Sequence, residues 1–201
     1  MYPNIDIDDC LETVRKYFEE FVKKEDIIFS LDLLLELLEI VLRSNVFMFG
    51  DMYFRQIKGI AMCTCCAVMI ANIYVSYKER TLIFPKYKDN IVCNSYGRFI
   101  DDSLALWVDG INDLTYKDLE NDLQQCQLYW EVQKPATSLD FLDVLLSLNL
   151  TEGKILTKSY QKPMNLHSYI TPSSAHSQAT FKGLIYGFVR RYWLQNSNPQ
   201  D

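Results

Sequence analysis

Asp101 and Asp102 stand side by side between two strand-forming runs, 96–100 and 103–108, and this pattern restricts the fold more tightly than any other feature of the chain. Strand-forming residues on both sides of a polar pair predict a β-hairpin with two carboxylates at its bend. Adjacent carboxylates beside apolar strands carry a desolvation cost unless water or a cation meets them. Hard oxygen ligands suit Mg²⁺, which keeps several waters and takes one or two carboxylates together with substrate phosphates. For the dipeptide alone, a solvated hairpin turn is the simpler reading.

Around the hairpin the chain alternates between helical and strand periods. Asp6-Ile7-Asp8-Asp9 is an acidic helix start, followed by Leu11, Val14, Phe18 and Phe21 at helical spacing. A second helix is expected after Ser30. Its Asp32, Glu36, Glu39 and Arg43 form a narrow polar stripe on an otherwise apolar rod, which predicts that most of it is buried. Residues 46–58 predict two short strands around Gly50-Asp51. Residues 67–75 form an apolar run with small side chains at Ala67 and Ala71 and predict a buried helix ending near Lys78-Glu79-Arg80. Thr115 and Asp118 open another helix, with Leu119, Leu123 and Cys126 facing inward. Strands are predicted at 128–133, 139–150 and 154–160, the last two joined at Glu152-Gly153. An amphipathic helix after Ser177 carries Phe181, Leu184, Ile185, Phe188, Val189 and Tyr192. Helices and antiparallel strands mix without regular βαβ alternation, an α+β signature.

With 201 residues, 49% of them apolar, the chain can bury roughly 70% of its unfolded surface around one core without disulfide support. No apolar run reaches the ~18 residues of a membrane span, and no signal peptide is expected. The six Cys show no disulfide framework, which predicts a reducing compartment and makes the Asn149-Leu150-Thr151 sequon accidental. Cys63-Thr64-Cys65-Cys66 lacks the second ligand pair of a zinc site and predicts packing residues. Walker, Rossmann and Ser/His/Asp patterns do not occur. Net charge is −6, split into −10 over 1–150 and +5 over 152–198. The acidic balance excludes nucleic-acid binding over the whole surface and leaves room for a basic C-terminal face.

The context of the acidic pair, Arg98-Phe99-Ile100-Asp101-Asp102-Ser103-Leu104-Ala105-Leu106-Trp107, resembles the aromatic-x-Asp-Asp hairpin in the palm of reverse transcriptases. Residues 59–68, continuing through Ala71-Asn72-Ile73-Tyr74, resemble that family's loop-to-helix motif beside the incoming nucleotide. Met1-Tyr2-Pro3-Asn4-Ile5 resembles the tail of its first catalytic motif. Phe141-Leu142-Asp143, Ser159-Tyr160-Gln161-Lys162-Pro163 and the segment to Arg190-Arg191-Tyr192-Trp193 resemble reverse transcriptases of Penelope-like retroelements.

The resemblance implies an α+β fold: a polymerase palm-type antiparallel sheet backed by helices, with partial fingers and the onset of a thumb. Residues 1–160 would hold fingers and palm, and 161–201 the connection and the start of the thumb. It implies RNA-directed DNA synthesis in an intracellular, nuclear or cytoplasmic setting, with RNA template, DNA primer and dNTPs as partners, no membrane, and two Mg²⁺ or Mn²⁺ ions in an intact enzyme. Asp101 and Asp102 become the catalytic metal ligands. Tyr2 takes the aromatic gate under the deoxyribose; Met62, Cys63 and Thr64 border the nucleotide. Gln56 is assigned to the template, Tyr160 and Lys162 to the primer, and Arg190 and Arg191 to duplex phosphates. Tyr192 and Trp193 are expected in the core. Two positions depart from the family pattern. Cys63 and Val68 stand where the family commonly has Gly and Pro, so Cys63 is expected to crowd the loop. The family's first catalytic Asp precedes the position of Tyr2, so the chain reads as a fragment or as started at an internal Met, with Asp6 or Asp8 as conceivable substitutes. The same residues also suit an inactive remnant that at most binds nucleic acid, or an RNA-dependent RNA polymerase.

Overall fold

A computed structural model describes residues 1–23, 25, 29–92, 95–163, 169–171 and 173–198. The chain mixes helices with small antiparallel sheets and divides into two compact units, Met1–Lys134 and Pro135–Asp201. The strands expected at 139–160 therefore share a unit with the last helix.

In the first unit, α1 (Ile7–Phe21), α2 (Leu31–Arg43) and α3 (Ala67–Lys78) build the main core. Asp6 caps α1 by accepting from the Asp9 N–H at 3.0 Å, and Ser30 caps α2 from Leu33. Such caps satisfy backbone donors that the first turn leaves open. Ile5, Cys10, Val14, Leu42, Ile60, Ala71 and Tyr74 are almost fully buried between these helices. Burial pushes the Cys10 thiol up to about 12, so it packs as a neutral group. Tyr74 on α3 donates its buried phenol to Asp9 on α1, and Lys78 completes the group.

The expectation that α2 is mostly buried does not hold. Only Leu35, Leu38 and Leu42 are buried, while Leu33, Leu37, Ile40 and Val41 are exposed. The helix packs on α1 along one seam, and the rest of its apolar surface faces out within this unit. The hairpin that follows, β1 (Val46–Phe49) and β2 (Met52–Arg55), pairs as expected around Gly50-Asp51.

The α-helix α3 ends at Lys78, within the expected stretch, but the helical path continues. It widens into a π-helical turn, Glu79–Ile83, and resumes as α4 (Phe84–Tyr87). Pro85 has no N–H for the carbonyl of residue 81, and a wider turn accommodates the missing bond. A second core gathers here: Ile83, Tyr87, Ile91 and Cys126, with Leu119 and Leu123 packed against them. β3 (Gly97–Phe99) and β4 (Asp102–Leu104) form the expected hairpin, and Trp107 bridges Ile91 beyond it. Helix α5 (Tyr116–Gln124) opens on the expected capping box of Thr115 and Asp118. Residues 128–133 form no strand. Gln127 takes φ +60, and the Gln124 side chain bonds the backbone of Trp130, so this segment closes onto α5 and not into a ladder.

Lys86 bonds Asp122 and holds its carboxyl below the usual range, with the Tyr87 hydroxyl a second donor at 2.7 Å. A depressed carboxyl adds stability above the ordinary Asp pKa of about 4, and that contribution is lost as pH falls through its folded value. Asp122→Asn is therefore expected to destabilise at pH 6 by about 1 kcal/mol. The gap to the parent should narrow progressively as pH falls below about 4 in paired urea titrations. A gap that stays constant with pH would exclude ionisation of Asp122 as its source.

In the second unit, β5 (Ser138–Phe141), β6 (Val144–Asn149) and β7 (Lys154–Ser159) make an antiparallel meander, followed by α6 (Gln178–Gln195). The single strand expected over 139–150 is broken at Leu142, whose φ of 56° turns the chain. On α6, Phe181, Leu184 and Phe188 are half-buried, whereas Ile185, Val189, Tyr192 and Trp193 are exposed, against the expected core placement of the last two. Asn196, just past α6, accepts from the Ser159 N–H at 2.7 Å and ties the helix end to β7. Among the described residues no helix is long and apolar enough to cross a membrane.

Candidate active site

The β3–β4 register pairs Phe99 with Asp102, leaving Ile100 and Asp101 to make the turn. Both carboxylates are exposed. Among the described residues neither enters a hydrogen bond or an ion pair, so their oxygens are open to water or to a cation. Ile100 has φ 57°, a left-handed conformation that a β-branched residue adopts only under constraint from its surroundings.

The constraint comes from Arg98. Its Nε donates to Glu79 Oε1 at 2.8 Å, its Nη1 to Asn72 Oδ1 at 2.7 Å and to the Ile100 carbonyl at 3.0 Å, and its Nη2 to the Asn72 carbonyl at 3.2 Å. Both members of the Arg98–Glu79 pair are buried, with side chains 9% and 6% exposed. Tyr96 also donates to Glu79 and contacts Ser103 Oγ at 3.2 Å. Burial, with the Glu79 charge beside it, pushes the Tyr96 phenol up and keeps it a donor. One network thus fastens both hairpin strands to α3 and the π-helical turn.

The segment before α3 gathers a second set of predicted residues. Gly59 has φ +76°, and a Cβ there would lie 2.5 Å from Pro3 backbone atoms, so only glycine lets the two backbones touch. Ile60 then donates to the Tyr2 carbonyl at 2.9 Å. Thr64 Oγ1 donates to Asn45 Oδ1 at 3.2 Å, and the Gln56 N–H to the Asn45 carbonyl at 2.9 Å. The Gln56 side chain is turned onto the Lys58 carbonyl at 2.9 Å. Met62 and Cys63 are exposed on this loop; Cys65 is exposed too, whereas Cys66 packs against the core, so the packing role expected of the three thiols holds for Cys66 alone. Cys63 is not among the residues with positive φ, so its backbone conformation does not require glycine. Asn72 lies five residues into the helix that starts at Ala67, about 7.5 Å along the axis. The loop and the hairpin anchor are therefore mounted on the same short stretch of α3.

Asp6 and Asp8 are committed elsewhere: Asp6 caps α1, and Asp8 pairs with Arg43. Among the described residues no three acids, Cys or His group closely enough to hold a metal. The hairpin pair suits one hydrated hard cation; a second ion requires a further carboxylate.

In the second unit, Tyr160, Lys162 and Arg191 line one cleft, and Arg191 is ion-paired with Asp143 at 2.7 Å. Arg190 is exposed on α6 and does not line it. The residues missed at the sequence level are Asn72, Glu79 and Arg98, which hold the hairpin. The clue was an arginine in a short apolar strand and a glutamate at the end of an apolar helix, two groups that burial forces to find each other. No protein family, curated protein or solved structure matches the chain.

Proposed function

We propose that the chain is the fingers and palm portion, with the start of a thumb, of an RNA-directed DNA polymerase of the Penelope-like retroelement type. The observation that carries this reading is the exposed Asp101-Asp102 bend, held by a buried Arg98–Glu79 pair and by Asn72 on α3, the helix that the 59–66 loop leads into. In the reaction the primer 3′-oxygen forms a bond to the α-phosphorus of a dNTP, and the bond to pyrophosphate breaks. Mg²⁺ at such a site would lower the pKa of the attacking hydroxyl and neutralise charge on the leaving group. Asp101 and Asp102 orient that chemistry. Tyr2 places a ring under the sugar that clashes with a 2′-hydroxyl and selects dNTPs. Met62, Cys63 and Thr64 border the nucleotide, and Gln56 the template. Tyr160, Lys162, Arg190 and Arg191 supply contacts to primer and phosphates.

Primer extension on an RNA template with Mg²⁺ and dNTPs tests the proposal. The 201-residue chain alone is expected to extend little or not at all, because a third carboxylate is needed for two ions. Joined to an in-frame upstream segment that supplies an Asp, it should incorporate dNTPs, and Asp101→Asn should return incorporation to background. Continued silence of the joined protein would favour an inactive remnant. A preference for NTPs, reversed on replacing Tyr2, would make it an RNA-dependent RNA polymerase.

A further inference from the structure

The second unit contains a cleft of about 360 Å³ bounded by the end of β7, the β5–β6 turn and the C-terminal half of α6, within the range of about 300–1,000 Å³ typical of small-ligand sites. One side is aromatic: Tyr169 meets Phe188 edge to face, with ring centroids 4.6 Å apart at 71°, and Tyr160 lines the same space. The polar lining is partly committed and partly open. Gln161 spends an Nε2 hydrogen on the Tyr192 hydroxyl at 3.0 Å, which leaves its Oε1 as an open acceptor. Gln195 Oε1 accepts from Ser159 Oγ at 3.2 Å and from Arg191 Nε at 3.3 Å, which leaves its Nε2 as an open donor. Arg191 is neutralised by Asp143. Lys162 has no ion pair or hydrogen bond among the described residues, so it is the open cation of the cleft.

An aromatic wall, one amide donor, one amide acceptor and one ammonium describe a planar ring that carries a donor beside an acceptor and bears an anionic group. An aromatic acid would leave both amides unanswered, and a bare anion would leave the ring wall empty. We propose that this cleft holds one unstacked nucleotide, its base against the aromatic wall with its pairing edge on Gln161 and Gln195, and its phosphate on Lys162. Each base has a donor next to an acceptor on that edge, so weak base preference is expected. The proposal rests on the nucleic-acid reading of Tyr160, Lys162 and Arg191 above, and not on catalysis at the hairpin.

The intact chain should be titrated with dGMP, deoxyguanosine and inorganic phosphate while the Gln161 and Gln195 side-chain amide resonances are followed by NMR, with an RNA–DNA hybrid titrated in parallel. Saturable shifts of both amides with dGMP are expected, with deoxyguanosine weaker by about tenfold, since a charge-assisted contact is lost. Lys162→Met should erase the difference between dGMP and deoxyguanosine, and Gln161→Leu should weaken both ligands. Lys162 and Gln161 are exposed, and an unchanged amide spectrum elsewhere verifies folding. No dGMP shift at either amide, or a shift reproduced by phosphate alone, overturns the proposal even if the hybrid binds. Uptake of dGMP by a chain that ignores the hybrid supports the cleft as a mononucleotide site and removes the duplex role of its residues.

Discussion

Arg98→Met is expected to destabilise the first unit by about 3–5 kcal/mol, because it leaves a buried carboxylate without its cation. Glu79 is 5% exposed as a residue and is held by Arg98 and Tyr96; after the substitution only the phenol remains. The change also removes both bonds to Asn72 and the one to the Ile100 carbonyl. Ile100 would then be free to leave its left-handed conformation, and the Asp101-Asp102 bend would lose its fixed direction. Urea unfolding gives the energy, and amide exchange across 97–104 gives the local loosening. The double variant Arg98→Met with Glu79→Gln should recover a large part of the loss, since it no longer buries an unpaired charge. A single variant within about 1 kcal/mol of the parent, the range of exposed pairs, would mean that the pair is solvated and does not hold the hairpin.

What the sequence disclosed and what it hid follow from the range of the forces involved. The four side-chain caps at Asp6, Ser30, Thr115 and Ser177 bond backbone three residues away, and each is legible. The β1–β2 and β3–β4 hairpins were legible too, since a strand–turn–strand pattern is written in consecutive residues. The break at Leu142 and the positive φ of Gln127 were not, because neither residue type announces a left-handed backbone. Pro85 was visible, but its effect, a widened turn that carries Glu79 toward Arg98, depends on where the helix packs. The exposed flank of α2 shows the limit of amphipathicity: an apolar rod predicts burial, but burial needs a partner surface, and within this unit α1 covers only one seam. For the site, the acidic bend was readable from local pattern. Its Arg98–Glu79 anchor spans 19 residues, and the cleft of the second unit draws its lining from positions as far apart as 161 and 195.

Gly59→Ala should be the most damaging of the glycine-to-alanine changes, since an added Cβ at each of the other six glycines meets nothing within 4 Å. The φ of +76° is already adverse for alanine, and the new Cβ would meet Pro3 Cα and O at 2.5 Å and its carbonyl carbon at 2.6 Å. These are backbone atoms of a turn, so no side chain can swing away. Relief requires the Tyr2–Asn4 turn to lift off, breaking the Ile60 to Tyr2 backbone bond and loosening the core around Ile5 and Ile60, which are 0% and 1% exposed. Strain of about 1–3 kcal/mol, a lost hydrogen bond of about 1 kcal/mol and partial exposure of two isoleucines together predict a loss of about 3–5 kcal/mol. Gly50→Ala is the matched control: its φ is +61°, but nothing lies within 4 Å of the added Cβ, so only the conformational penalty of about 1–2 kcal/mol applies. The difference between the two variants in urea unfolding isolates the collision with Pro3. Amide exchange at Ile60 should quicken in Gly59→Ala alone. Equal losses in the two variants would show that the N-terminal turn yields without resistance, and Tyr2 would then lack the fixed position a sugar gate requires.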